Sequence, residues 1–444
     1  MWPYFDPEYE NLSLHINPPR VCIDNTACDE CTLVKVDSMN KTGILLEVVQ
    51  VLSDLDLAIS KAYITSDGGW FMDVFHVTDQ HGRKITDPQT IEYIEKALGP
   101  ESNIFGPKGD SSPGRLVGMR SIGDHTAVEL IGTDRPGLLS EIFAVLANLH
   151  CNIIAAEVWT HRMRVACVLY INDEATGRAV DDSERLSVMK EQLRNVLAGR
   201  GDDARGGRTN FSVGSTHVDR RLHQLMRADE DYGSDGGLTE GTDSDLVSRP
   251  VVTVENCGEK AYSVVTVRCK DRSKLLFDIV CTLTDMLYVV FHASISSDGV
   301  YALQELYIRR NDDRTLDSKD ERERVIKCIE AAILRRVSEG FSLEICGRDR
   351  VGLLSDVTRV LREHGLSVMR ADVTTVGEQA VDVFYVCDPS GTPVDTRAIE
   401  ALRREIGHTV MLNAKKVAAP SPSDPANASF FSFGSFFGKL LPNI

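Results

Sequence analysis

The stretch DRPGLLSEIFAVL (residues 134–146) decides the fold, because DRVGLLSDVTRVL (residues 349–361) repeats it later in the same chain. A repeated catalytic site would repeat its catalytic side chains, whereas these two corners share mainly an Asp, a Gly and two leucines. Looser copies in the same frame occupy residues 31–64 and 262–295. The chain therefore contains four repeats of one supersecondary unit.

Each repeat predicts the same order of elements, which is clearest in the second. A β-rich run at 127–131 leads through the polar corner to apolar residues at helical spacing between 138 and 149. Two strand-like runs follow, at 153–160 and 164–171, joined by a short turn, and then a second helix at 184–197. Strand, helix, strand, strand, helix and a final strand form the split βαβ, ferredoxin-like plan.

The final strand can be assigned only in some repeats. Residues 209–213 serve in the second repeat and 408–415 in the fourth, whereas the edge strand of the third is expected to be missing or shared. The acidic Gly/Ser linker around 233–250 is interpreted as separating two halves of two repeats each. The predicted organisation is an N-terminal segment (1–30), first repeat (31–98), linker (99–124), second repeat (125–213), helix and linker (214–250), third repeat (251–338), fourth repeat (339–416) and Phe-rich tail (417–444).

With these four copies, the chain resembles the plant ACT-domain-repeat proteins, and HVDRRLHQLMRADEDY (residues 217–232) and residues 252–295 also resemble that family. The resemblance implies an α+β fold of tandem ferredoxin-like βαββαβ ACT domains, paired side by side into larger antiparallel sheets. ACT units are amino-acid-sensing modules, found on amino-acid biosynthetic enzymes and on bacterial uridylyltransferases. It therefore implies a non-catalytic regulatory protein whose partner is a free amino acid, with intramolecular pairing of ACT units or a homo-oligomer.

The repeated corner has a physical logic of its own. An Asp just before a helix can cap the first turn, and the positive end of the helix dipole attracts an anion such as a carboxylate. A Gly at the corner allows the ligand to approach the backbone closely. The alternative is that Asp and Gly only cap and tighten a turn, without any ligand. The predicted ligand-binding residues are Asn40, Gly43, Ile44, Asp134, Arg135, Gly137, Leu138, Asp349, Arg350, Gly352 and Leu353.

Two repeats depart from the pattern of this corner. The first has Asn40 in place of the Asp, so the carboxylate is lost while the Gly remains. The third has Lys274 in place of the Gly, and its side chain would crowd a ligand. We expect the third corner to be structural. A bound ligand is expected to favour one arrangement of the two halves about the 233–250 linker.

Composition limits the remaining classes of function. The 444 residues carry a formal charge of −17, which argues against a nucleic-acid partner. The N-terminus lacks the features of a secretory signal, and no run reaches the roughly 18 apolar residues of a membrane span, so no transmembrane segment is expected. We expect an intracellular protein in the cytoplasm, with the nucleus left open as a second compartment.

Enzyme and metal interpretations are weaker. Gly214 and Ser215 followed by Asp229 and Asp231 imitate a nucleotidyltransferase site, but no domain-sized segment accompanies them, so this enzyme is a remote alternative. Cys28 and Cys31 form a single C-x-x-C pair without a second, which lacks the usual zinc spacing. Ordinary thiols are expected there, with a metal site as the minor alternative, and no cofactor is predicted.

The C-terminal tail offers a different partner. FFSFGSFFGKLLPNI (residues 430–444) contains five of the 15 phenylalanines of the chain. It either docks on the protein's own sheets or serves as a motif for a protein partner or a membrane surface. If the tail is such a motif, the protein is an interaction scaffold built on ACT pairing and needs no small-molecule ligand.

Overall fold

The computed structural model describes most of the four repeats. Asn40, the predicted linkers apart from their ends, and the aromatic residues of the tail lie outside the described residues. The described ranges are 19–39, 43–67, 69–99, 125–198, 207–213, 217–232, 249–257, 262–310, 316, 318–336, 340–388, 394, 396–406 and 410–417.

The predicted order of strand, helix, strand, strand and helix is found in every repeat, whereas the position of the edge strand differs. The first contains β1 (Arg20–Asp24), β2 (Thr32–Met39), α1 (Ile44–Asp54), β3 (Ala58–Asp67), β4 (Trp70–Thr78) and α2 (Pro88–Leu98). The second contains β5 (Thr126–Thr133), α3 (Leu138–Asn148), β6 (Cys151–His161), β7 (Arg164–Asp173), α4 (Ser183–Ala198) and β8 (Arg208–Val213), followed by α5 (Val218–Ala228). The third contains β9 (Val251–Cys257), β10 (Tyr262–Lys270), α6 (Leu275–Asp285), β11 (Tyr288–Ser297), β12 (Tyr301–Arg310) and α7 (Lys319–Leu334). The fourth contains β13 (Gly340–Arg348), α8 (Leu353–Glu363), β14 (Ser367–Val376), β15 (Gln379–Cys387), α9 (Thr396–Ile406) and β16 (Val410–Val417).

The edge strands correct the sequence interpretation. In the second and fourth repeats the edge strand follows the second helix, as β8 and β16. In the first and third repeats it precedes the repeat instead, as β1 and β9, and pairs antiparallel with β2 and β10. The third repeat therefore has its own edge strand, contrary to the expectation that it is missing or shared. Both positions are possible because the edge strand pairs with the first strand of the plan, whichever end of the chain supplies it.

The repeats pair side by side, and they alternate. One compact unit holds the first and third repeats, in a sheet of order β1-β2-β4-β3-β11-β12-β10-β9. The other holds the second and fourth repeats, in a sheet of order β16-β13-β15-β14-β6-β7-β5-β8. The interpretation that the 233–250 linker separates two halves of consecutive repeats is therefore wrong. A linker between neighbouring repeats says nothing about which repeats share a sheet.

One antiparallel strand pair joins the two repeats within each unit. Strand β3 pairs with β11 in the first unit, and β6 pairs with β14 in the second. The inner strands thus pair with each other, which hides edges that would otherwise promote aggregation. The intramolecular pairing predicted from the resemblance is confirmed.

The cores form where the helices cover one face of each sheet. On β15, Ala380, Phe384 and Val386 alternate with more exposed residues and are buried against the helices. Helix α8 contributes Leu353, Val357 and other apolar residues at helical spacing to the same core. In the second unit α3 packs against α8, and in the first α1 packs against α6. No helix within the described residues is both long and apolar enough to cross a lipid bilayer.

Helix α5 covers part of the opposite face of the second sheet. Its Leu222 and Met226 form a separate buried cluster with Trp159 and Tyr170 of the sheet. The helix therefore belongs to the second compact unit, although in sequence it follows the second repeat as part of a linker. The apolar face of this helix packs on the sheet.

Candidate ligand-binding site

The four corners share one backbone geometry. Gly43, Gly137 and Gly352 immediately precede their helices with φ values of 87°, 86° and 84°, and Lys274 adopts 62° at the same point of the third repeat. This left-handed conformation favours glycine, because a Cβ is strained there. The geometry therefore accounts for the repeated glycine without a ligand.

The predicted helix cap by aspartate is wrong. The residue at the N-cap of α3 and of α8 is the glycine, Gly137 or Gly352, and no side chain caps either helix. A turn lies between the Asp and the helix, in which the Leu353 N–H donates to the Arg350 carbonyl at 3.1 Å. This turn moves the carboxylate away from the first helical residues. Asp134 and Asp349 therefore remain at the end of the first strand, and their carboxylates are used elsewhere.

The arginine that follows the Asp is held within its own repeat. Arg135 donates to Glu141 at 2.9 Å and to the carbonyl of Val196 at 3.1 Å. Arg350 pairs in the same way with Asp356 at 2.5 Å. In the third repeat Arg272 pairs with Asp278 at 2.8 Å and also donates to the main chain of α7. These pairs tie the corner to the first turn of its helix, which gives the arginines a structural role that the sequence analysis did not predict.

The corner of the fourth repeat faces strand β6 of the second repeat, within the same compact unit. Asp349 accepts hydrogen bonds from Asn152 Nδ2 at 3.2 Å and from Thr375 Oγ1 at 3.0 Å. A depression that is partly open to solvent lies at this point, and its enclosed volume of about 20 Å³ holds roughly one water molecule. Its lining consists of Phe143, Ala147, Cys151, Asn152, Ile153, Asp349, Arg350, Gly352, Leu353, Leu354 and Ser355. The fourth-repeat residues predicted as ligand-binding are thus brought together, along with Asn152, which the sequence interpretation missed.

The equivalent corner of the second repeat is filled by an arginine. A Cβ on Gly137 would lie 2.6 Å from Cδ of Arg362, the penultimate residue of α8. Position 362 in the fourth repeat corresponds to Ala147 in the second, since the two helices begin at Leu353 and Leu138. An alanine leaves one corner open, and an arginine occupies the other. The two corners, which are nearly identical in sequence, therefore differ because their partner helices differ.

The central strand of each repeat carries a buried residue at one register position. This position is Asp73, Cys167, Gln304 and Asp382 in the four repeats, each nearly inaccessible. Burial, followed by the neighbouring charge of Asp349, raises the pKa of Asp382 to about 8. The main-chain N–H of Thr374 lies near this carboxylate and opposes the rise in its pKa, but neither oxygen has a well-formed hydrogen bond from the described residues. The fourth corner therefore contains one hydrogen-bonded carboxylate with a second acid beneath it.

The acids of the candidate nucleotidyltransferase motif are engaged in ion pairs. Asp231 accepts two hydrogen bonds from Arg335, at 2.7 and 2.6 Å. Asp229 pairs with Arg164 and, at 3.2 Å, with Arg208. Gly214 and Ser215 of that motif lie outside the described residues. The D-x-D acids thus hold α5 and its neighbours in place instead of presenting two free carboxylates to a metal.

Comparison with known proteins identifies the repeats. Residues 27–104 match the family model described as "ACR family N-terminal ACT domain", and residues 126–198 and 341–404 match the model "ACT domain". The chain is 63% identical to "ACT domain-containing protein ACR3" of Arabidopsis thaliana, with 99% of each chain covered. This chain belongs to the ACR family of ACT domain-containing proteins. The ACR family membership also establishes the fold as tandem ACT domains.

Two further relatives define the extent of the similarity. This ACR protein is 51% identical to "ACT domain-containing protein ACR4" of Arabidopsis thaliana, over 99% of this chain and 97% of that one. It is 43% identical to a "Bifunctional uridylyltransferase/uridylyl-removing enzyme" of Gluconobacter oxydans (strain 621H), over 19% of this chain and 9% of the enzyme. The similarity to the uridylyltransferase is therefore confined to a short segment.

Proposed function

We propose that this ACR protein is a non-catalytic regulatory protein that binds a free amino acid at the corner of its fourth repeat. The observation that carries the proposal is the partly open depression at which the Asp349 carboxylate and the N-terminus of α8 lie together. Its enclosed volume is about 20 Å³, so the side chains around it would move apart to admit an amino acid. An anionic group and the positive end of a helix dipole lie at one site. A free amino acid carries the two complementary groups, an ammonium and a carboxylate, both attached to its α-carbon.

The geometry suggests how the ligand would be oriented. The first N–H groups of a helix have no intrahelical partner, and Leu354 and Ser355, which lie in the first turn of α8, line the depression. Their N–H groups would receive the ligand carboxylate, while Asp349 would accept from the ammonium. The amino-acid side chain would then extend towards Phe143 and Ala147 of α3. These two residues are the ones to vary when selectivity is studied.

The same site would give binding a regulatory consequence. Its lining comes from the corner of the fourth repeat and from α3 and β6 of the second. A bound amino acid would bridge the two repeats and favour their paired state over any more open one. Because the two repeats alternate with the others along the chain, this replaces the idea of two consecutive halves moving about the 233–250 linker.

The absence of catalysis is also part of the proposal. Asp229 and Asp231, the best enzymatic candidates in the sequence, are paired with arginines. The corner of the fourth repeat offers a carboxylate and helix N–H groups, but its lining contains no histidine or lysine to act with them as a second acid-base group. Binding without turnover is what this set of groups supports.

The test is a thermal-shift screen of the full-length protein against each common amino acid at millimolar concentration, followed by calorimetry. A ligand of about ten heavy atoms is expected to bind with micromolar to millimolar affinity. At 100 times Kd it would add about 2.7 kcal/mol to the stability of the unit that holds it. We expect one amino acid, or a chemically related few, to raise the transition of the second compact unit.

Two substitutions at the fourth corner and one control substitution at the second corner test the position of the site. Ala147→Arg copies at the fourth corner the arginine that fills the second, and Asp349→Asn removes the carboxylate; both should abolish the shift. Asp134→Asn, at the corner filled by Arg362, is the matched control and should leave the shift unchanged. If no amino acid shifts the wild-type protein, or if Ala147→Arg binds normally, the proposed site is wrong.

A further inference from the structure

Two cysteines and a histidine meet in the first compact unit. Cys31 directly precedes β2, Cys28 lies in the turn between β1 and β2, and His76 lies on β4. The two Sγ atoms are 3.2 Å apart, and Cys31 Sγ lies 3.4 Å from His76 Nδ1. All three ligand atoms lie within 4.8 Å of one another, and this is the one such group of His, Cys, Asp or Glu among the described residues.

Sheet pairing brings these residues together. Leu33, two residues beyond Cys31, lies opposite His76 in the antiparallel pair of β2 and β4. Phe75 and Val77 on either side of His76 are buried in the core against the helices. Successive side chains on a strand point to opposite faces, so His76 points to the face of the sheet away from its helices. The sequence shows a C-x-x-C pair, and the tertiary structure supplies the third group.

The turn that carries Cys28 is held in place. Asp24 Oδ1 accepts from the N–H groups of Thr26 and Ala27 at 2.9 and 3.1 Å. Asn25 donates to the carbonyl of Ile85 at 2.9 Å and accepts from Thr32 Oγ1 at 2.6 Å. These bonds connect the turn both to β2 and to the segment before α2. The cluster is thus prepared by the fold and does not depend on a freely moving loop.

We propose that Cys28, Cys31 and His76 form a Zn²⁺ site, with one coordination position left to a non-protein ligand such as water. Two thiolates and an imidazole are ligands that zinc prefers, and a three-ligand set with an open position is known chemistry for this ion. Tetrahedral bonds of about 2.3 Å to sulfur and 2.0–2.1 Å to nitrogen separate neighbouring ligand atoms by about 3.6–3.8 Å. The observed 3.2 and 3.4 Å separations need to widen by only a few tenths of an ångström.

The ion would act as a clamp on the first repeat. It would connect the β1–β2 turn to β4, and so strengthen the attachment of the edge strand β1 to the sheet. A disulfide between Cys28 and Cys31 is the competing chemistry, but it needs an S–S bond of about 2.05 Å and gives His76 no part. The two chemistries predict opposite results in the experiment below.

The experiment uses the full chain, purified with a reductant and stripped of metal by a chelator. It is titrated with Zn²⁺ and, in parallel, with Co²⁺, whose thiolate charge-transfer absorption reports sulfur ligation directly. We expect one ion per chain and a clear thiolate band. Cys28→Ser and His76→Asn should each weaken Zn²⁺ binding at least tenfold. Cys22→Ser, an exposed cysteine on β1, is the matched control and should bind as the wild type does.

Circular dichroism and the melting transition of the first compact unit, which holds the cluster, would show that the variants are folded. Two variants at different places in the cluster keep the test decisive if one of them misfolds. The proposal is overturned if the stripped protein shows no cobalt-thiolate band, or if His76→Asn retains full affinity. It is equally overturned if alkylation and mass measurement find Cys28 and Cys31 joined as a disulfide in protein purified without a reductant.

Discussion

Asp382 makes a quantitative prediction possible, because it is a buried acid without a well-formed hydrogen bond from the described residues. It lies on β15 between Ile345 of β13 and Val373 of β14, on the helix-covered face of the sheet. Its pKa rises from 3.8 to about 8, first through burial and second through the charge of Asp349. The folded protein therefore keeps Asp382 protonated at neutral pH, whereas the unfolded chain ionises it.

The sign of the effect on stability follows from this difference. Below pH 3.8 both states hold the proton, and Asp382 costs nothing. Between pH 3.8 and about 8 only the unfolded chain releases it, so folding loses about 1.4 kcal/mol for each pH unit. At pH 7 the cost is on the order of 4 kcal/mol. Asp382→Asn cannot ionise, and it should become more stabilising relative to the wild type as the pH rises.

The assay is urea unfolding of both proteins at pH 5, 6, 7 and 8. Trp159 is buried in the second compact unit, so replacing Trp2 and Trp70 by Phe in both proteins makes its fluorescence report that unit. The difference in unfolding free energy between the proteins isolates Asp382, since all other titrating groups are shared. A difference that stays constant from pH 5 to pH 8 would falsify the assignment of a raised pKa to Asp382.

Two other predictions concern the same compact unit. Gly137→Ala and Gly352→Ala should each destabilise the protein by about 1–2 kcal/mol because of the positive φ. Gly137→Ala should be the more destabilising of the two, since its Cβ would lie 2.6 Å from Arg362. Equal losses in thermal unfolding, or no recovery of stability when Arg362→Ala is added to Gly137→Ala, would contradict this. Asp231→Asn should cost about 3–5 kcal/mol in urea unfolding, because it leaves the buried Arg335 guanidinium without its charged partner. A loss below 1 kcal/mol would show that this pair is not a buried ion pair in solution.

A raised pKa of this kind is a stability cost that a neutral residue would avoid. Cys167 and Gln304 hold the equivalent position in the second and third repeats, so the fold accepts a neutral side chain there. Asp73 repeats the acid in the first repeat, and burial raises its pKa as well. A buried acid that destabilises the fold, at a position where a neutral side chain is possible, is typical of a functional site. In the fourth repeat this acid lies next to Asp349, where the proposed ammonium group would bind.

Much of the fold could be predicted from local pattern. The alternation in the strands and the helical spacing from Leu138 to Leu149 depend on residues close in sequence, and so does the positive-φ corner at Gly137 and Gly352. The strand, helix, strand, strand, helix order of each repeat could therefore be predicted, and the resemblance to ACT domains could be recognised. The candidate site residues could be predicted from the sequence because each repeat places them in the same segment, between its first strand and its first helix.

The amino-acid sequence by itself determined four repeats, the strand, helix, strand, strand, helix order that they share, and the corners predicted to bind a ligand. Only the tertiary structure decided that the first repeat pairs with the third and the second with the fourth. It also decided that Arg362 fills one corner while Ala147 leaves the other open, and that His76 joins Cys28 and Cys31. The physical reason is distance along the chain: secondary structure follows from neighbouring residues, whereas these contacts join residues tens to hundreds of positions apart. Nothing in the local pattern of either partner specifies such a contact until the sheets have paired.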